Sequence, residues 1–136
     1  MMRSISLIVI HCSATRPDQD FTMEKLEASH RAQGWKGCGY HYYIRRDGTV
    51  YNCRPLSQVG AHAKGFNAHS VGICYEGGLD IRGQPADTRT PEQKEAMHRL
   101  VAKLKWGFPL CSVLGHRDLF GVRKACPSFN VQDEEW

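Results

Sequence analysis

The stretch from Gly115 to Phe129, GHRDLFGVRKACPSF, places an imidazole, an ammonium and a thiol on one short segment. His116 and Cys126 are too far apart for one helix face. With Gly115, Gly121 and Pro127 between and around them, the chain is expected to fold back as a loop and bring the two together. A third ligand is then needed from elsewhere. His11 supplies it, standing at the end of the run ISLIVIH over residues 5–11. Cys12 follows immediately, but neighbouring residues of a strand point to opposite faces, so only one of the pair can join the site. Two imidazoles and a thiolate are the donor set that a borderline-soft ion such as zinc accepts. Three protein ligands with an open position form a catalytic arrangement, in which the ion brings the pKa of bound water to about 7 and polarises a carbonyl. Hydrolysis of an amide or ester follows from that. Lys124, two residues before Cys126, shares its side of an extended segment and is placed to stabilise an oxyanion. Tyr40 is a candidate to donate a hydrogen bond or carry a proton. His62, in the glycine-interrupted run VGAHAKGFN over residues 59–67, is either a groove residue or an exposed histidine.

These residues must be positioned by regular elements. Residues 5–11 are dense in β-branched side chains and too short for a helix, which predicts a strand buried on both faces at the centre of a sheet. Thr22 is expected to cap a helix carrying Met23, Leu26 and His30 and stopping at Gly34, with His30 read as a surface or edge residue. Asp47 and Gly48, between Tyr40–Arg46 and Thr49–Cys53, predict a hairpin. Period-two alternation through that first arm puts Tyr40 and Tyr42 on one face, His41 and Tyr43 on the other. Residues 70–76 read as another strand and residues 77–87 as a loop. Thr90, Pro91 and Gln93 mark a capping box, followed by Met97, Leu100, Val101 and Leu104 at helical spacing. A last short strand over residues 111–114 delivers His116 at its end, as the first delivers His11. The expected fold is α/β: a single domain over residues 1–136, with a central mixed sheet flanked by helices.

Composition narrows the function classes. The chain has 136 residues, 41% hydrophobic and 24% charged, as in an ordinary globular domain with one core. A net charge of +4 biases it towards anionic surfaces, but its basic residues are scattered, without the interleaved aromatics of a nucleic-acid binder. Nucleic acid is therefore not an expected partner. The apolar run at residues 7–10 is far below the roughly 20 residues of a membrane span and too short for a signal peptide. Synthesis in the cytoplasm, without stable membrane insertion, is expected. The six cysteines are read as mostly free, with Cys12, Cys74 and Cys111 acting as small hydrophobes and no role assigned to Cys38 and Cys53. No G-x-S-x-G elbow, phosphate loop or H-E-x-x-H helix is present.

Five blocks in order, VIHCSAT (9–15), GYHYYIRRDGTV (39–50), VGAHAKGFN (59–67), GHRDL (115–119) and KACPSF (124–129), carry a resemblance across nearly the whole chain. Together they resemble the zinc-dependent N-acetylmuramoyl-L-alanine amidases, especially the small phage lysozyme-type enzymes, within the superfamily that includes peptidoglycan recognition proteins. The resemblance implies a mixed sheet with a zinc site in a groove on one face. It also implies cleavage of the amide between N-acetylmuramic acid and the L-alanine of the stem peptide. By matching motifs, His11, His116 and Cys126 take the metal positions, Tyr40 the catalytic tyrosine and Lys124 the oxyanion-stabilising lysine. His62 and Asn67 fall in the block bordering the substrate groove. Peptidoglycan is then the expected partner of a monomeric, endolysin-like or wall-remodelling enzyme, whose target in the wall calls for a separate export or membrane-permeabilising route. Two other readings remain at this point: a non-catalytic peptidoglycan-binding module, and a metal-free cysteine hydrolase built on Cys126 and His116.

Overall fold

The computed structural model describes residues 3–136. Five strands form one mixed sheet: β1 (Leu7–Cys12), β2 (Tyr42–Ile44), β3 (Val50–Asn52), β4 (Ser70–Tyr75) and β5 (Ser112–Gly115), in the spatial order β3-β2-β4-β1-β5. β2 and β3 pair antiparallel; β2 with β4, β4 with β1, and β1 with β5 pair parallel. Helix α1 (Met23–Ala32) and helix α2 (Pro91–Gly107) complete the regular structure. The α/β expectation of a central mixed sheet flanked by helices holds.

β1 sits between two parallel neighbours, which explains its near-continuous apolar sequence. Its alternation sorts the two faces. Ile8, Ile10 and Cys12 join Val71, Ile73 and Tyr75 of β4 in the main core, against Met97, Leu100, Val101 and Leu104 of α2. Val9 points the other way, to Ala63 and Leu119, and His11 shares that side by period two. On the same side Tyr43 and Cys74 pack against Leu26 of α1. The helices therefore cover opposite faces, and the α1 face is the one that carries chemistry.

Helix starts follow their sequence signals. Thr22 Oγ1 accepts from Lys25 N–H, and both bonds of the Thr90–Gln93 capping box form. Gln93 has a second role: it is fully buried, and its Nε2 donates to Ile44 O at 3.2 Å and Glu76 O at 2.9 Å, tying the start of α2 to the ends of β2 and β4. Gly48 turns the hairpin at φ +89°, and a Cβ there would lie 3.0 Å from Glu92 O, so the turn also seats against α2.

Some expectations are corrected. β1 begins and ends later than residues 5–11, and the hairpin arms shorten to three residues each. Because regular pairing in the first arm starts only at Tyr42, alternation does not extend back to Tyr40. Tyr42 packs on the main core while Tyr40 packs with Tyr43 on the opposite face. His30 is buried rather than at the surface, with Nδ1 accepting from Gly39 N–H at 2.8 Å and its ring against Trp35 and Tyr40.

Candidate metal centre

β1 and β5 are adjacent and parallel, so their carboxyl ends open at the same edge of the sheet. His11 lies in the last turn of pleat of β1, and His116 begins a 3-10 turn directly after β5. Two local bonds shape the loop that follows. Gly115 N–H donates to Asp118 Oδ2 at 2.8 Å, and Arg117 N–H donates to Cys126 O at 2.8 Å, returning the chain to the strand end. The His11 and His116 ring centroids are 4.5 Å apart, and one ligand atom from each of His11, His116 and Cys126 lies within 4.8 Å of the others. The fold-back expected of residues 115–129 is what the structure shows.

The donor chemistry fits a borderline-soft cation. Burial, then the neighbouring His62 and His116, holds the His11 pKa well below the usual imidazole range, and burial followed by Lys124 lowers that of His116. Both rings thus keep lone pairs free to coordinate. The Cys126 thiol is pushed up by its hydrogen bond with Cys12 and by burial. Its Sγ also accepts Cys12 N–H at 3.2 Å, a bond that favours the thiolate once a cation is present.

Around these three ligands lies a cavity of about 280 Å³ whose walls include Tyr40, His62, Lys124, His30 and Trp35. A neighbouring groove of about 460 Å³ shares Trp35, Ala61, His62, His116 and Lys124, and adds Lys64 and Asn67. The Tyr40 ring is 5.0 Å from that of His11. Burial, then the nearby Cys74 and Cys126, raises its phenol well above the ordinary value, so it keeps its proton as a donor. Lys124 is exposed at the rim of both spaces.

All seven residues singled out from the sequence border this one region. Their polar atoms are used differently. Asn67 Oδ1 accepts the N–H groups of His62 and Ala63 at 3.0 and 2.9 Å, clasping the groove loop. His62 is only 8% exposed, with Nδ1 2.9 Å from His11 Nε2 and Nε2 3.1 Å from Ser70 Oγ. Sequence reasoning missed His30 in the cavity wall, although its spacing from Met23 and Leu26 puts it on the apolar stripe of α1. It also missed Glu76, a carboxylate 1% exposed that takes bonds from Phe21, Arg45 and Arg46.

Comparison with known proteins agrees with this geometry. Residues 1–129 match the family model described as N-acetylmuramoyl-L-alanine amidase. An endolysin of Enterobacteria phage K11 is 41% identical over 127 residues, covering 93% of this chain and 83% of its own. Among solved structures, the N-acetylmuramoyl-L-alanine amidase LysC from Clostridium intestinale superposes with a TM-score of 0.80 at 33% identity, covering 94% of this chain and 79% of its own. Drosophila PGRP-LB, solved as a mutant in complex with tracheal cytotoxin, gives 0.77 at 25% identity, covering 93% and 77%. The match of nearly the full length to one family model, beside a fold and a histidine–histidine–cysteine cluster of the kind that family's hydrolytic chemistry needs, places the chain in the N-acetylmuramoyl-L-alanine amidase family as a cell-wall lytic amidase.

Proposed function

We propose that the protein cleaves the amide between N-acetylmuramic acid and the L-alanine of the stem peptide with a zinc ion held by His11, His116 and Cys126. The observation that carries this reading is the convergence of those three ligand atoms within 4.8 Å, in a cavity that Tyr40 and Lys124 also border. Bound there, zinc supplies Lewis-acid polarisation of the scissile carbonyl and acidifies water.

The chain's own residues divide the remaining work. His11 and His116 stay neutral because they are buried, and so remain ligands at neutral pH. Tyr40, with its proton held by burial, donates a hydrogen bond to the oxygen or nitrogen that gains charge as the amide breaks. Lys124 brings an ammonium to the rim, where it favours the developing oxyanion. His62 and Asn67 border the groove, and the bonds of Asn67 Oδ1 fix the loop that forms its wall. Peptidoglycan is the substrate class, and no helix among the described residues is long and apolar enough to cross a membrane. We read residues 1–136 as one catalytic domain acting as a monomer.

Incubation of the purified protein with cell walls tests this reading. Stem peptides beginning with a free L-alanine amine should be released, release should stop with a chelator, and zinc should restore it. Walls left intact by the zinc-loaded protein, or release indifferent to the chelator, would overturn it. A binding-only module would show the first result, and a metal-free cysteine hydrolase the second.

A further inference from the structure

The groove loop does more than line the site. His62 lies beneath His11, and its ring is seated in a cradle made by two glycines. A Cβ on Gly72 would come within 2.6 Å of His62 Cγ, and one on Gly60 within 2.7 Å of Cδ2. Only backbone at both positions leaves room for the imidazole. Within that cradle both ring nitrogens have buried partners: Nδ1 is 2.9 Å from His11 Nε2, and Nε2 is 3.1 Å from Ser70 Oγ, a side chain with no solvent exposure. A neutral imidazole carries one N–H and one lone pair, so the two bonds of His62 must run in one direction.

Which direction is decided at His11. Its Nε2 faces His62, so Nδ1 is the nitrogen left for a metal, and a ligating nitrogen must offer its lone pair. Nε2 of His11 then bears the hydrogen and donates it to His62 Nδ1, and His62 Nε2–H donates to Ser70 Oγ. We propose that His62 is a positioning residue for the metal: with Ser70 it fixes His11 in the Nε2–H tautomer and orients its ring so that Nδ1 points at the ion. This rests on the metal reading of His11, His116 and Cys126. Outer partners of this kind orient a ligating histidine and typically change metal affinity by about 10- to 100-fold. A relay ending on a hydroxyl, with no carboxylate, keeps the whole chain of groups uncharged inside the fold.

The first measurement needs no substitution and no metal. Long-range nitrogen–proton NMR correlation on the metal-free protein should show His11 as the Nε2–H tautomer, and finding it as Nδ1–H would overturn the proposal. The second compares zinc affinity by chelator competition. His62→Leu removes the acceptor and should weaken zinc binding about 10- to 100-fold and mix the His11 tautomers, while His62→Gln restores a carbonyl acceptor and should recover most of both. Ser70→Ala, which leaves the groove loop intact, should shift the tautomer in the same sense to a smaller extent, and it serves if a His62 variant does not fold. Native zinc affinity in a folded His62→Leu protein with an unchanged His11 tautomer would overturn the proposal. Native protein that takes up no zinc would instead overturn the metal reading, and is told apart because the tautomer is read without metal.

Discussion

Cys126 Sγ accepts a hydrogen bond from the backbone N–H of Cys12 at 3.2 Å, across 114 residues of sequence. The bond joins the end of β1 to the loop after β5, so the strand that delivers His11 also steadies the sulfur beside it. Cys12 itself lies in the main core, as alternation along β1 requires, and meets the Cys126 sulfur through its own thiol as well as its backbone N–H. One strand end thereby serves two of the three candidate ligands.

Cys126→Ser keeps an acceptor for that N–H but removes the soft donor. Zinc affinity should fall by more than the about 100-fold upper range of outer-partner effects, and wall cleavage should go with it. The melting temperature of the metal-free protein should stay near native, because the loop bond between Arg117 N–H and Cys126 O is retained. In the native protein the thiol is held up by its Cys12 hydrogen bond and by burial, so zinc must displace a proton. Binding should therefore strengthen as pH rises, by about one logarithmic unit per pH unit from this group while it remains a thiol. Chelator competition at several pH values measures both effects.

Tyr40→Phe should leave zinc affinity unchanged and lower kcat by about 10²- to 10⁴-fold, the range for loss of a proton-donating group. Lys124→Met should lower kcat by about 10²- to 10³-fold. Lys124 is at an exposed rim, so its variant should show native stability. Steady-state kinetics on a defined muropeptide would separate these kcat losses from changes in KM.

Most of the candidate metal site was legible because two of its three candidate ligands, His11 and His116, stand at the ends of strands whose apolar runs are unambiguous. His11 closes such a run, and His116 follows another. The sheet order that makes those two ends neighbours is a tertiary fact. What could not be read locally was the face of Tyr40, since period two holds only where pairing is regular, and pairing starts at Tyr42. The partnership of His62 with His11 depends on a loop crossing the sheet, and its sequence trace is confined to two glycines, Gly60 in the loop and Gly72 in β4, whose roles only the fold reveals. Glu76 was equally hidden: it is the last residue of the strand predicted over residues 70–76, and nothing local marks it as a buried anchor until Arg45 and Arg46 of the hairpin arrive beside it.

Acid should unfold the metal-free protein through its buried histidines. His41 has no solvent exposure; Nδ1 accepts from Gly72 N–H at 3.1 Å and Nε2 is 2.8 Å from Gln58 O, an arrangement that fits only the neutral ring. Burial lowers its pKa from 6.5 to about 4, and that of His62 from 6.5 to about 3. A folded-state value below the unfolded one means the unfolded chain binds more protons between the two. The stability is thus fully present above pH 6.5 and is lost as pH falls towards 4 and then 3. By this linkage His41 accounts for up to about 3 kcal/mol and His62 for up to about 5 kcal/mol. Urea denaturation at pH 7, 5.5 and 4.5 should show the decline, and His41→Gln should flatten it while lowering stability at neutral pH.

Glu76 should be the costliest single carboxylate to remove. Its two oxygens accept from Phe21 N–H at 2.9 Å, Arg46 N–H at 3.2 Å, and Arg45 Nε and Nη2 at 3.0 and 3.1 Å. That one group joins the end of β4, the hairpin and the segment leading into α1, the helix that supplies His30 to the cavity wall. Glu76→Ala leaves Arg45, only 23% exposed at its side chain, without its inner partner and two backbone donors unpaired. The expected cost is about 3–5 kcal/mol, as for breaking a buried ion pair by deleting one partner. Glu76→Gln, which keeps the shape and one acceptor oxygen, should cost less. Because Glu76 touches none of the three ligands, the zinc affinity of the protein that remains folded should be near native in both variants. Denaturant melts paired with chelator competition distinguish this from a direct role in the site: a large loss of affinity in folded Glu76→Gln would show that the anchor also sets ligand geometry.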